Sequence, residues 1–289
     1  TAEIMSSVGF GFNTVGTVTA KYYEGNKKPR LGSLSKSKSL FVNKGFKSGG
    51  CAAVAKRLDG MNLAGKTVGI SVGSSNLPEI DSIQKAVEDY ITTFGVFGGK
   101  KYVKYFELNI SCPNTLLPEP FTNKNNLELL LKEVGRLGVA QPIYIKMPNE
   151  IEESRVFELI DCSLGVGVNG FIFSNLVKDR TNIYLDRGEL EKFAGLKGNF
   201  SGRPTWENSN RLIKSVRAKY GKSIVIIGCG GIFDAVGVYE KLRLGANLVQ
   251  LISGMIFEGP QLIGEINRDL VGLMKKDGLT NISELSRFW

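Results

Sequence analysis

Histidine is absent from the 289 residues, which removes Ser-His-Asp hydrolysis, HExxH metalloprotease chemistry, zinc-dependent deamination and His-ligated haem. Acid–base chemistry must use another side chain. Cysteine is scarce: Cys51, Cys112, Cys162 and Cys229 stand far apart with no CxxC pair. That spacing excludes zinc-ribbon and iron–sulfur sites and fits reduced thiols in a cytoplasmic compartment, with no metal expected. No apolar run reaches the ~18 residues of a membrane span, and no secretory signal opens the chain. A membrane would be met only peripherally, through an N-terminal extension. With nine prolines, 42% hydrophobic and 22% charged residues, the chain is neither disordered nor collagen-like and can bury a sizeable core.

Glycine is plentiful, 35 residues against a usual ~7% of a chain, and much of it clusters after apolar runs where tight strand-to-loop turns need it. The formal charge is +9, and residues 1–60 hold ten Lys/Arg against Glu3, Glu24 and Asp59, so +7 of the excess is N-terminal. Lys27, Lys28 and Arg30 alternate with Gly, Pro and Ser rather than with stacking aromatics. Solubility or steering of an anionic substrate explains them better than nucleic acid, which is not expected as a partner.

Short β-branched or aromatic runs at 12–19, 66–72, 103–110, 142–147, 170–175, 223–228 and 247–253 predict seven strands, several apolar throughout, as parallel strands buried on both faces are. Helical spacing predicts helices over 78–94, with Pro78 in the first turn, over 206–220, and over 235–244 with Gly245 as C-terminal cap. A helical stretch at 2–8 leads into the first strand. No linker divides the chain and no 20–50-residue repeat is visible, so residues 1–289 are expected to form one domain. Alternating strands and helices predict an α/β fold, the parallel (β/α)8 TIM barrel lacking its first strand. An open seam would expose strand edges, so a strand supplied before Thr1 is expected to complete the barrel.

In such a barrel the C-terminal strand ends carry the chemistry. The third strand ends Glu107-Leu108-Asn109-Ile110-Ser111-Cys112-Pro113-Asn114. Alternation puts Glu107 and Asn109 on one face, and an Asn amide suits the edge of a heterocycle. Cys112 is either a small buried hydrophobe or, as a thiolate, a base. Lys146 closes the apolar run Ile143-Tyr144-Ile145. A buried ammonium needs an anion, so Lys146 either stabilises charge on a cofactor, forms a Schiff base with a carbonyl substrate, or pairs with a carboxylate such as Glu107. Two late glycine loops, 228–232 and 253–255, followed by helix N-termini, could take a phosphate.

Nine segments resemble the FMN-dependent dihydroorotate dehydrogenases, in that family's order: GFGFNTVGTVT at 9–19, GNKKPR at 25–30, VNKGF at 42–46, ELNISCPNT at 107–115, IKMP at 145–148, FSN at 173–175, SGRP at 201–204, IIGCGG at 226–231 and LVQLISG at 248–254. The resemblance implies a (β/α)8 barrel that oxidises dihydroorotate to orotate in pyrimidine (UMP) synthesis, with FMN at the C-terminal strand ends. It matches Gly16, Thr17, Ser71, Asn109, Lys146, Ser174, Gly202, Gly231, Ile252 and Ser253 to flavin contacts. Asn43, Asn109, Asn114 and Asn175 match the substrate-binding positions, and Cys112 the base. It further implies that Cys112 removes the C5 proton, that hydride passes from C6 to flavin N5, and that Lys146 supports charge near flavin N1 and O2.

The body is similar to the quinone-using class, which normally has Ser as base, whereas Cys112 is the soluble class's residue. Ser71 stands where the quinone class usually has Asn. Quinone, fumarate and a partner flavoprotein are the candidate acceptors. The competing activities are another FMN-barrel pyrimidine oxidoreductase of dihydropyrimidine or dihydrouridine type, a Schiff-base lyase using Lys146, and a non-catalytic flavin binder.

Overall fold

A computed structural model of the chain describes residues 2–289. Its packing resolves into two compact units, one of residues up to Arg30 with Lys44–Lys146 and Ser154–Asn169, the other of Leu31–Asn43, Met147–Glu153 and Gly170–Trp289.

In the first unit four strands run parallel in the order β1 (Asn13–Val18), β2 (Val68–Val72), β3 (Val103–Asn109) and β4 (Ile143–Met147). Every residue of β2 is buried and β3 exposes only Lys104, as expected of parallel strands covered on both faces, with Glu107 and Asn109 the polar residues buried at the end of β3. Each Val, Ile or Phe so buried stabilises the fold by roughly 1.5–3 kcal/mol. The helices are α1 (Met5–Val8), α2 (Cys51–Asp59), α3 (Ile83–Gly98), α4 (Lys124–Arg136) and α5 (Glu153–Leu164). α3 starts at Ile83 rather than 78. Ser82, in extended conformation, accepts a hydrogen bond from the Lys85 amide and takes the N-cap, while residues 77–80 close a turn through the Ile80 N–H and the Leu77 carbonyl at 2.9 Å. An N-cap hydroxyl contributes about 1 kcal/mol, enough to fix that start. α1 is shorter than 2–8 and stops at Gly9, whose φ of 112° ends it.

The second unit carries three further parallel strands in the order β5 (Gly170–Phe173), β6 (Val225–Cys229) and β7 (Leu248–Gln250). Its helices are α6 (Arg187–Glu191), α7 (Trp206–Tyr220), α8 (Ala235–Arg243), α9 (Ser253–Glu258) and α10 (Leu262–Lys276). All seven expected strands are present, trimmed by a few residues where the chain leaves the ladder. A three-stranded antiparallel sheet not foreseen from the sequence pairs Leu31–Leu34 with Ser39–Val42 and the latter with Asn199–Phe200. Its apolar side packs Leu34, Phe41 and Phe200 against Leu185, Leu190 and Phe193, with the Phe41 and Phe193 rings stacked at 4.6 Å.

Candidate active site

The first unit assembles its polar strand ends through side-chain hydrogen bonds. Asn109 closes β3 and is 8% exposed. Its Nδ2 donates to Thr17 Oγ1 at 2.9 Å, and Thr17 shares a 3.0 Å hydrogen bond with Ser71 Oγ. Asn109 Oδ1 accepts from the Ser111 amide at 3.4 Å. Thr17, Ser71 and Asn109 therefore form one polar row across β1, β2 and β3. Gly16 is needed beside it: its φ is +140°, and a Cβ there would lie 2.6 Å from the Ser71 carbonyl oxygen. Lys146 follows in register, opposite Asn109 on β4 and half-buried. Glu107, 3% exposed, accepts the Thr14 hydroxyl at 2.5 Å.

Beyond the end of β3, Cys112 enters the wall of a pocket lined also by Phe46, Asn76, Ile80, Tyr90 and Phe121. Burial pushes its thiol up to about 12; the Asn114 amide opposes this and Glu119 adds to it. The group is a neutral thiol at physiological pH. Tyr90 donates to the Asn109 carbonyl at 2.8 Å, so the pocket and the polar row share the last residue of β3.

Two residues that hold this loop were not singled out from the sequence. Asn26 donates from Nδ2 to the Asn114 carbonyl at 2.8 Å, and Asn76 accepts the Leu116 amide at 2.7 Å and donates to Asn26 Oδ1 at 3.0 Å. Asn26 lies within GNKKPR, which drew attention for its charge; the Asn beside the lysines carries the contact.

In the second unit Ser174 and Asn175 follow β5. The Ser174 amide donates to the Cys229 carbonyl at 2.8 Å, and the Asn175 amide to the Met147 carbonyl at 3.0 Å. Asn149, fully buried and unmarked in the sequence reading, donates to Ser174 Oγ at 2.6 Å and to the Thr205 carbonyl at 3.0 Å. Three loops meet here. Ser201 Oγ and Ser253 Oγ are 2.8 Å apart, Thr205 donates to the Gly202 carbonyl at 2.8 Å, and a Cβ on Gly230 would lie 2.3 Å from Thr205 Oγ1. Gly202 and Gly231 have φ of +79° and +71°, and side chains there would strike the Lys38 carbonyl at 2.2 Å and Trp206 Cβ at 2.7 Å. Gly202 lets its backbone approach that of Lys38, and Gly230 and Gly231 lie so close to the Thr205 and Trp206 side chains that no Cβ fits at any of the three. Ile252 is 57% exposed beside buried Ser253. Asn43 is half-buried after the strand Ser39–Val42.

The N-terminus of α8 is capped internally, Asp234 Oδ1 accepting the Gly237 amide at 2.7 Å, and α9 has only six residues. The four cysteines are free. Among the described residues no helix is long and apolar enough to cross a membrane, and no group of three or more His, Cys, Asp or Glu could hold a metal ion.

The parallel strands and polar C-terminal strand ends define an α/β protein of the barrel class. A DHODH from Eimeria tenella, solved in complex with ferulenol, has the same fold, with a TM-score of 0.85 at 22% identity over 97% of this chain and 79% of its own. The family model described as dihydroorotate dehydrogenase matches residues 1–274. Among relatives named dihydroorotate dehydrogenase (quinone), that of Bartonella henselae is 35% identical over 292 residues, covering 97% of this chain and 77% of the relative. That of Sulfurovum sp. is 34% identical over 281 residues, covering 97% and 75%. The chain belongs to the dihydroorotate dehydrogenase family and is an oxidoreductase.

Proposed function

We propose that the protein oxidises dihydroorotate to orotate with FMN and passes the electrons to a quinone. The observation that carries this reading is the hydrogen-bonded row of Ser71, Thr17 and Asn109 ending beside the Cys112 loop. It offers amide and hydroxyl groups of both polarities to heterocycle edges, next to a side chain able to exchange a proton.

The residues fit the cofactor. In the first unit Gly16, Thr17, Ser71, Asn109 and Lys146 would hold the ring system, Lys146 placing a cation where negative charge gathers. In the second, Gly202, Gly231, Ile252 and Ser253 would hold the phosphate, Gly202 and Gly231 taking positive-φ turns where a Cβ would strike neighbouring chain, and Ser174 would contact the ring. FMN, when bound, supplies the two-electron acceptor for the hydride leaving C6 of the substrate. Asn43, Asn109, Asn114 and Asn175 orient the substrate by its amide edge, and Cys112 takes the proton from C5. A thiol held near 12 by burial is a base only after deprotonation, so proton loss from Cys112 precedes the chemical step.

Quinone is favoured as acceptor because the relatives that match nearly the whole chain are named for it. The test is anaerobic. Purified protein should show a flavin absorption band that dihydroorotate bleaches, and the reduced protein should be reoxidised faster by a soluble quinone than by fumarate or NAD. A colourless protein that takes up no FMN overturns the flavin reading. Bleaching by a dihydropyrimidine lacking the carboxylate, and not by dihydroorotate, overturns the substrate.

A further inference from the structure

Lys241 is a lysine with 0% exposure, among the largest fully buried side chains of the protein. It sits on α8, beneath the end of β6: a Cβ on Gly228 would lie 3.0 Å from Lys241 Cδ. Its Nζ donates to Ser209 Oγ at 2.8 Å and to Asn210 Oδ1 at 2.7 Å, and lies 4.5 Å from the centre of the Trp206 ring. All three partners are neutral. A buried ammonium met only by neutral groups is costly, by several kcal/mol, and a core position of that kind is filled more stably by an apolar residue of similar volume.

Where this cation acts is defined by its partners. Ser209 Oγ lies 2.9 Å from the Phe173 carbonyl and 3.0 Å from the Cys229 carbonyl. Those carbonyls end β5 and β6, and the Cys229 carbonyl also accepts the Ser174 amide. Ser174 and Gly230-Gly231 are the next residues along the chain. On the other side Trp206 forms the surface against which Gly231 packs. Lys241 is thus wired by one hydroxyl to both strand ends and by one ring to the glycine loop.

We propose that Lys241 is a positioning residue for the flavin-phosphate loop, its ammonium fixing through Ser209 and Trp206 the backbone at Ser174 and Gly230–Gly231. The proposal rests on the reading that this loop takes the FMN phosphate. It assigns the cation a second effect, a buried positive charge behind the amides that face an anion, felt more strongly than in water because the interior screens it poorly.

The same burial draws the Lys241 ammonium down to about 7; Cys229, Glu240 and Glu207 pull it back up. Cys229 ends β6, Glu240 is its neighbour on α8 and binds Asn210 Nδ2 at 3.1 Å, and Glu207 lies on α7. Asp277, after α10, is engaged by Tyr239 and Arg243. In a chain without histidine, FMN binding should therefore carry a proton linkage near neutrality that comes from this lysine, the cationic form holding FMN more tightly.

The test is FMN titration of the apoprotein between pH 6 and 8.5, by flavin fluorescence, for the wild type, Lys241→Met and Ser209→Ala. The wild-type Kd should rise several-fold from pH 6.5 to 8.5, against the trend set by the FMN phosphate, whose second ionisation near pH ~6 strengthens its charge as pH rises. Lys241→Met should bind about tenfold more weakly at pH 6.5, with a Kd that no longer rises with pH; a tenfold change corresponds to 1.4 kcal/mol. Ser209→Ala leaves the cation in place and cuts its link to the strand ends, so it should weaken binding at pH 6.5 and flatten the rise in part. A folded Lys241→Met protein that matches the wild type at every pH overturns the proposal. Should that variant fail to fold, a wild-type Kd that does not rise with pH, or Ser209→Ala binding as the wild type does, overturns it instead. A wild type that takes up no FMN at any pH overturns the flavin reading itself.

Discussion

The side-chain amide of Asn109 donates to the hydroxyl of Thr17 at 2.9 Å, tying the last residue of β3 to β1. The Asn is nearly buried, so this donor must be satisfied with or without a ligand. Asn109→Asp keeps the shape and replaces the donor by an acceptor. Orotate binding, followed by the flavin absorbance change, should weaken by roughly 5- to 150-fold, from the ~1–3 kcal/mol of one mismatched buried polar group. An unchanged orotate Kd would remove Asn109 from substrate recognition.

Cys112 gives a prediction in rate and in pH. Cys112→Ala should retain FMN and lose flavin reduction by dihydroorotate by roughly 10²–10⁴-fold, the usual worth of a general base. Cys112→Ser should keep part of the activity at a shifted pH optimum. Because burial raises the thiol to about 12, the thiolate fraction is small at neutral pH and grows about tenfold per unit as pH rises. Stopped-flow reduction rates should therefore climb with pH between 6 and 9 without a plateau. An Ala variant that reduces flavin at the wild-type rate would exclude Cys112 from the chemistry.

How much of this was legible in the sequence follows from how each part is stabilised. β2 is buried on both faces, so Val68–Val72 could only read as apolar and β-branched. α7 was readable to the residue because its apolar positions keep helical spacing and Gly221 follows it. The antiparallel hairpin was not, since residues 35–39 alternate Ser with Lys, and Leu34 and Phe41 on either side find their core partners, Leu185, Leu190 and Phe193, only far along the chain. Lys241 was invisible for the opposite reason: a lysine in a helical pattern reads as solvated, and only its contacts with Ser209, Asn210 and Trp206 show it inside. The candidate site was legible as motifs. The asparagines that hold its loops, Asn26, Asn76 and Asn149, were not, because an Asn in a loop carries no pattern until its partners are known.

Glu189 is the anchor of the unforeseen hairpin. Its carboxylate accepts the Lys36 amide at 2.9 Å, the Ser37 amide at 3.0 Å and the Ser37 hydroxyl at 2.8 Å. Burial pushes its pKa up, but the Lys36 and Ser37 hydrogen bonds, with Lys192, outweigh that and leave it lowered. A lowered carboxyl pKa contributes stability that is present above the unfolded-state value and lost as pH falls through the folded one. Glu189→Gln should cost about 1–3 kcal/mol at pH 7, with the difference from wild type shrinking toward pH 3 in urea melts. A constant difference across that range would assign the loss to packing instead.

Lys146 separates the redox reading from the lyase reading. It stands one residue before the end of β4, in register with Asn109, and under the proposed function its ammonium faces negative charge that grows when the flavin is reduced. Lys146→Ala should weaken FMN binding and lower the flavin reduction potential, because the reduced form loses more than the oxidised form when the cation goes. Dye-equilibrated reduction of the wild type and the variant reads that shift directly. A Schiff-base mechanism requires a neutral amine attacking a substrate carbonyl, so borohydride with dihydroorotate should leave the intact mass of the wild type unchanged. A covalent adduct mapped to Lys146, in a variant pair with equal potentials, would transfer the residue from the flavin to a carbonyl substrate and overturn the dehydrogenase role proposed for it.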